Sequence, residues 1–187
     1  MIPLGTPAPD FALPDSCTGR IVRLADCAAA KALVVFFISN HCPFVQHLRS
    51  GLASFGRDAQ AAGAAVVAIG SNSEQTHPQD GPAHIPAEVR AGGYAFPYLF
   101  DDSQAVAKAY RAACTPDIFL FGSDRRLAYR GQFDDSRPGN GKPVTGASLR
   151  AALDAVLTGR QVPEPQLPSM GCNIKWTPGN EPDYHHG

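Results

Sequence analysis

Residues 32–48, ALVVFFISNHCPFVQHL, divide into two physically different halves. Ala32 to Ser39 is a β-branched and aromatic run without polar alternation, the pattern of a strand covered on both faces and therefore central in its sheet. Beyond it Phe44, Leu48, Leu52 and Phe55 recur at intervals of three and four. That spacing predicts a helix opening at Pro43 and ending near Gly63. Cys42 is left at the junction, in the cap position.

Working outward, AAVVAIGS (64–71) is a second buried strand of the same character. The strand, helix, strand order implies a parallel pair with a right-handed crossover. Upstream, the proline-rich opening to Asp26 reads as an extended arm or hairpin, with RIVRL a short strand after the Thr18–Gly19 turn. Downstream, residues 72–97 are loop-rich, with a short helix around 86–91, and read as a flexible flank. YLFDD is a short strand leading into a helix over SQAVAKAYRAA. DIFLFG and LAYRGQF, separated by SDRR, form a hairpin in outline, which makes this part of the sheet antiparallel. TGASLRAALDAVLTG carries a capping threonine, an apolar face at Leu149, Leu153, Val156 and Leu157, and a closing Gly159. We therefore expect an α/β domain over 1–160, a central mixed sheet flanked by helices, and an extended tail over 161–187 anchored by Ile174 and Trp176.

Composition narrows the function. With 16 basic against 17 acidic side chains and a net charge of −1, nothing favours nucleic acid or an anionic membrane surface. No apolar run reaches the ~20 residues of a membrane span, and MIPLGTPAPD lacks the regions of a secretory signal, so the expected location is the cytoplasm. Cys17, Cys27, Cys42, Cys114 and Cys172 form an odd set without zinc-type spacing. Free or transiently oxidised thiols fit better than a disulfide scaffold.

At a helix N-terminus the unpaired amides and the positive end of the dipole favour an anion, so the Cys42 thiol should ionise readily. The thiolate is the attacking species. Ser39 and His41 stand close enough in sequence to add a hydrogen bond and a charge. The plainer reading is a small apolar residue filling space. His41, Cys42 and His47 also raise a metal reading, but His47 turns away from the cap on the helix, and no metal or dissociable cofactor is expected. His77 and His84 lie in the irregular region, and His185 and His186 read as solvated.

The chain resembles a family. PAPDFALPD (7–15), VVFFISNHCPFV (34–45), FPYLFDDSQAVAKAYRA (96–112), CTPDIFLF (114–121) and PSMGCNIKWTPGNEP (168–182), in that order, look like the thioredoxin-like proteins of the alkyl hydroperoxide reductase and thiol-specific antioxidant group. The resemblance implies a thioredoxin-like fold and thiol chemistry at Cys42, with Pro43 behind it. It also implies that Pro116 is a cis-proline facing that cysteine, with Thr115 presenting its backbone there. The departures matter equally. Where the dithiol motif has its second cysteine stands Val45, so no thiol at that place can resolve a mixed disulfide. Ser39 meets the peroxiredoxin requirement three residues before the cysteine, whereas Val35 stands where a proline is expected. The arginine that polarises peroxide would fall near Pro116, leaving Arg130 as the candidate for that role. Resolution of oxidised Cys42 falls to Cys172, favoured by the likeness of the GCNIKW tail and by a mobile segment's freedom to close and release, or to Cys114, two residues before Pro116.

The expectation is a thiol-dependent oxidoreductase acting on a peroxide or a disulfide, recharged by an external thiol, and either monomeric or a homodimer. The alternative is a redox-inactive thioredoxin-like module for protein or metal recognition.

Overall fold

Alternate residues of the central strand face two different cores, which is why its sequence shows no polar alternation. The computed structural model describes residues 2–184. The chain runs through a hairpin of β1 (Ala12–Pro14) and β2 (Ile21–Arg23), then β3 (Ala32–Phe37), α1 (Pro43–Ala61), β4 (Ala64–Gly70), α2 (Ile85–Gly92), β5 (Tyr98–Phe100) and α3 (Ala105–Tyr110). It continues through β6 (Cys114–Thr115), β7 (Asp117–Phe121), β8 (Leu127–Arg130), α4 (Ala147–Leu157) and β9 (Cys172–Asn173).

The main sheet has the order β5-β4-β3-β7-β8. Strands β3, β4 and β5 are parallel, while β7 and β8 are antiparallel to their neighbours. Val34, Phe36 and Ile38 pack with α1 and α4 residues such as Leu48, Leu52, Phe55 and Leu149. Leu33, Val35 and Phe37 face Tyr110 of α3, Phe11 of the N-terminal arm, and Ile174 and Trp176 of the tail. At roughly 1.5–3 kcal/mol for each large apolar side chain buried, these two layers dominate the favourable side of the balance.

Both outer edges of this sheet are occupied. Along β8, the N-terminal arm bonds through Leu127 N to Thr6 O at 2.9 Å and Ala8 N to Arg125 O at 2.8 Å. Further along, the tail bonds through Gln132 N to Leu167 O at 2.9 Å. On β5, Asp15 pairs with Leu99 and Ser16 N bonds Tyr98 O at 3.0 Å.

The expected capping threonine stands one place before the N-cap: the cap of α4 is Gly146 at φ 68, and Thr145 Oγ1 accepts Ala147 N at 3.3 Å. The Asp134 carboxylate adds to this, accepting Thr145 N at 2.7 Å and Gly146 N at 2.6 Å. Within residues 72–97, expected to be a flexible flank, Asn72, Ser73 and Asp80 are buried with their polar groups paired inward, while residues 74–76, 78 and 79 are exposed. The tail lies extended and anchored by Ile174 and Trp176, both buried, as expected, and it is bonded on both sides of Cys172. Ser169 Oγ bonds Gly131 O at 2.7 Å, Ile174 N bonds Ala113 O at 3.1 Å, and Thr177 N bonds Gln104 Oε1 at 2.9 Å.

Candidate active site

The C-terminal end of β3 delivers Cys42 to the N-cap of α1, with extended backbone at φ −66, ψ 120 and Pro43 at the first helical position. Proline suits that place because its missing N–H would have no helical partner. Val45, where a dithiol motif would carry its second sulfur, belongs to the buried stripe of α1 and is 1% exposed. Its branched side chain is a core contact.

Facing Cys42 is the turn at Thr115 and Pro116, whose peptide bond is cis. Cys42 Sγ lies 3.0 Å from Thr115 O and 3.0 Å from Cys172 Sγ. Ser39 Oγ and Thr115 Oγ1 are 3.0 Å apart just behind, both side chains buried. Cys172 reaches this place because β9 pairs antiparallel with β6, setting Thr115 opposite Cys172 and Cys114 opposite Asn173. Gly171 permits the approach: a Cβ there would lie 2.0 Å from Thr115 O and 2.6 Å from Thr115 C.

The two sulfurs are electrostatically unlike. Cys42 has no solvent exposure, and burial by itself pushes its thiol up. Hydrogen bonds from the Thr115 side chain, from the Cys172 thiol and from the Val45 and Cys172 backbone N–H groups outweigh that and leave Cys42 below the ordinary thiol range. Cys172 is pushed up to about 11, by burial first and then by its bond to Cys42 and by Cys42's charge. The pair thus holds one proton, on Cys172, when Cys42 ionises.

The sequence candidates separate clearly. Ser39, Cys42, Pro43, Thr115, Pro116 and Cys172 converge. His41 sits beside the cluster with Nδ1 against Asp80 Oδ2 and its ring stacked on His77, centroids 5.2 Å apart. Cys114 Sγ faces Pro116 O at 3.5 Å, and its thiol is pushed far up by burial and by Asp117. Arg130 does not join them: it lies on β8, two strands from β3, where its backbone N–H donates to Gln166 Oε1 at 3.1 Å. The strand order separates it from Cys42, and among the described residues no hydrogen bond or ion pair of its side chain is found. His47 bonds Ser136 Oγ at 2.7 Å, away from the cap. Among the described residues no group of three or more His, Cys, Asp or Glu side chains is placed to hold a metal ion. His185 and His186 lie outside the described residues.

Three groups escaped the sequence. Asp80 and Asn72 are each 3% exposed; Asp80 lies against the Cys42 loop and Asn72 joins it to the tail at Lys175. Asp117, next to Pro116, is pushed up to about 6 by burial, despite amide bonds from Ala113 and Ile118. In sequence, Asn72 and Asp80 fell in a stretch read only as loop-rich, and Asp117 in a segment read only for its cis-proline and strand.

A mixed sheet with helices on both faces, a cysteine capping the first long helix and a cis-proline turn opposite define a protein of thioredoxin-like fold. Within that class the chain belongs to the AhpC/TSA family, whose model matches residues 4–130. A hypothetical protein from Sinorhizobium meliloti 1021 is 59% identical, with 95% of this chain and 96% of that one covered and a TM-score of 0.92. An uncharacterized conserved protein from Geobacillus kaustophilus is 53% identical over 95% and 94%, with a TM-score of 0.93. Peroxidoxin BcpB from Mycobacterium tuberculosis shares the fold at 19% identity, covering 85% and 98%, with a TM-score of 0.62. No curated protein matches the chain. Family and fold together support a thiol-based redox function.

Proposed function

We propose that the chain is a thiol-dependent oxidoreductase in which Cys42 is the reacting sulfur and Cys172 its resolving partner. The observation that carries this is the 3.0 Å separation of the two sulfurs across the β6–β9 pair. An S–S bond of ~2.04 Å needs about 1 Å of further approach. With a hydroperoxide as oxidant, the Cys42 thiolate attacks the outer oxygen, the O–O bond breaks, and the departing alkoxide or hydroxide takes a proton. Cys42 becomes a sulfenic acid. The Cys172 sulfur then attacks the Cys42 sulfur, losing its proton, and water leaves with the disulfide formed. A small disulfide reaches the same state by two exchanges, releasing two thiols.

Recharging starts at the other sulfur. Cys172 is partly exposed and Cys42 is not, and a thiol of lower pKa is the better leaving group. An external thiol therefore attacks Cys172, Cys42 departs as thiolate, and a second thiol frees Cys172. The two external thiols thereby give two electrons and two protons to the protein and leave as their own disulfide.

The test is alkylation of the reduced protein across pH, followed by substoichiometric hydrogen peroxide and peptide mapping. Expected are a Cys42 that reacts below the ordinary thiol range and a single Cys42–Cys172 bridge. Cys42→Ser should abolish the bridge and Cys17→Ser should leave it unchanged. An inert Cys42, or a protein that takes up no oxidising equivalents, would leave a binding module with this fold.

A further inference from the structure

Two buried polar side chains outside the sulfur cluster connect the backbone segments that carry the two cysteines. Asp80 Oδ1 accepts Asn40 N at 2.8 Å and His41 N at 3.1 Å, gripping the two residues before Cys42. Its other oxygen accepts Asn72 Nδ2 at 2.8 Å and meets His41 Nδ1. Asn72 then reaches the tail, its Oδ1 accepting Lys175 N at 2.9 Å, three residues past Cys172. Ser73 N bonds Lys175 O at 2.7 Å and makes that grip two-sided. Both side chains are 3% exposed, so each lost bond leaves a polar group without water to replace its partner.

We infer that Asp80 and Asn72 form a clip that sets the Cys42–Cys172 distance, acting as positioning residues that hold the second thiol at a high effective concentration without touching either sulfur. This rests on the reading of Cys42 and Cys172 as the working dithiol. The bridge is then a buried carboxylate and a buried amide in series, each with one side turned to a cysteine-bearing segment. Because bond formation needs only about 1 Å of sulfur movement, the clip can remain closed in both redox states. Its energy is felt in the equilibrium between dithiol and disulfide, since a loosened tail must be recaptured each time the bridge forms.

The polarity of the clip gives a sharp test. Asp80→Asn sets an amide N–H₂ against the Asn72 N–H₂, and Asn72→Asp sets a carboxylate against the Asp80 carboxylate, so each single change opens the clip. In the exchanged double variant Asp80→Asn with Asn72→Asp, the amide at position 80 donates to the carboxylate at 72 and its carbonyl keeps Asn40 N and His41 N. The second oxygen at 72 still accepts Lys175 N, and only the bond to His41 has to be remade.

The measurement is the equilibrium of each protein in glutathione redox buffers, where two protein thiols lose two electrons and two protons to one glutathione disulfide. The Cys42–Cys172 bridge is quantified by mass after alkylation. Each single variant should favour the dithiol by about tenfold, ~30 mV for a two-electron couple, and the exchanged pair should recover most of it. The equilibrium is read where urea unfolding shows every reduced variant still folded, because a loss of stability common to dithiol and disulfide leaves their balance unchanged, and this separates positioning from folding. If the single variants match the parent, or the exchanged pair is no better than either single, the clip is overturned while the dithiol reading stands. If the parent itself forms no Cys42–Cys172 bridge, both fall.

Discussion

Cys42 and Cys172 are the same side chain in opposite surroundings, and the difference is made by donors. A buried thiolate is unfavourable unless hydrogen bonds reach it, and at Cys42 the Thr115 and Cys172 side chains and the Val45 amide supply them. Removing one donor must therefore raise the Cys42 pKa. Since that value is depressed in the folded protein, the thiolate fraction gained over an ordinary thiol exists only between the folded value and the ordinary one. We expect Cys172→Ala to shift the alkylation profile of Cys42 to higher pH and to slow its reaction at pH 7 several-fold, whereas Cys172→Ser, which keeps an O–H donor, should move it less. The measurement is iodoacetamide labelling followed by peptide mapping. At this scale the sequence already showed much: a cysteine before a proline that opens a helix announces its own electrostatics. The contacts of Asp80 and Asn72 were not legible, because they depend on where a 3-10 turn at Pro78–Asp80 folds back against Asn40 and His41, 39 to 40 positions earlier in the chain.

Among the elements, the long helix and the buried strands were readable because their burial imposes a period: α1 buries Val45, Leu48, Leu52 and Phe55, and β3 is buried throughout. Strands β6 and β9 were not, being two residues each and paired across nearly sixty positions. No local pattern survives in so short a piece. Yet this pair brings Cys172 to the site, and it depends on Gly171. Any side chain at that position meets backbone atoms, Thr115 O at 2.0 Å and Pro116 N at 3.0 Å, that have no flexible end to move aside. Gly171→Ala should push β9 from β6, cost about 1–3 kcal/mol in urea unfolding of the reduced protein, and slow bridge formation after a peroxide pulse. Unchanged bridging kinetics in a folded Gly171→Ala protein would mean that the approach of β9 to β6 does not govern resolution.

For the whole molecule, one sheet carries two cores, and the chain itself runs along both edges, through Asp15 and Ser16 at β5 and through the N-terminal arm at β8. The order of layers was legible from burial patterns; the closure of the edges was not, because an arm of prolines and turns has no periodicity to announce where it lies. Cys172 sits 130 positions beyond Cys42 at the helix cap. A covalent link over that span would enclose most of the polypeptide in one ring, and in the chain-entropy description a ring of this size removes about 5 kcal/mol of freedom from the unfolded ensemble. Each catalytic turnover would then alternate a laced and an unlaced molecule, the former melting ~10–20 °C higher in calorimetry at fixed pH. The redox state of one small site would thus also govern how long the protein survives heat and proteases.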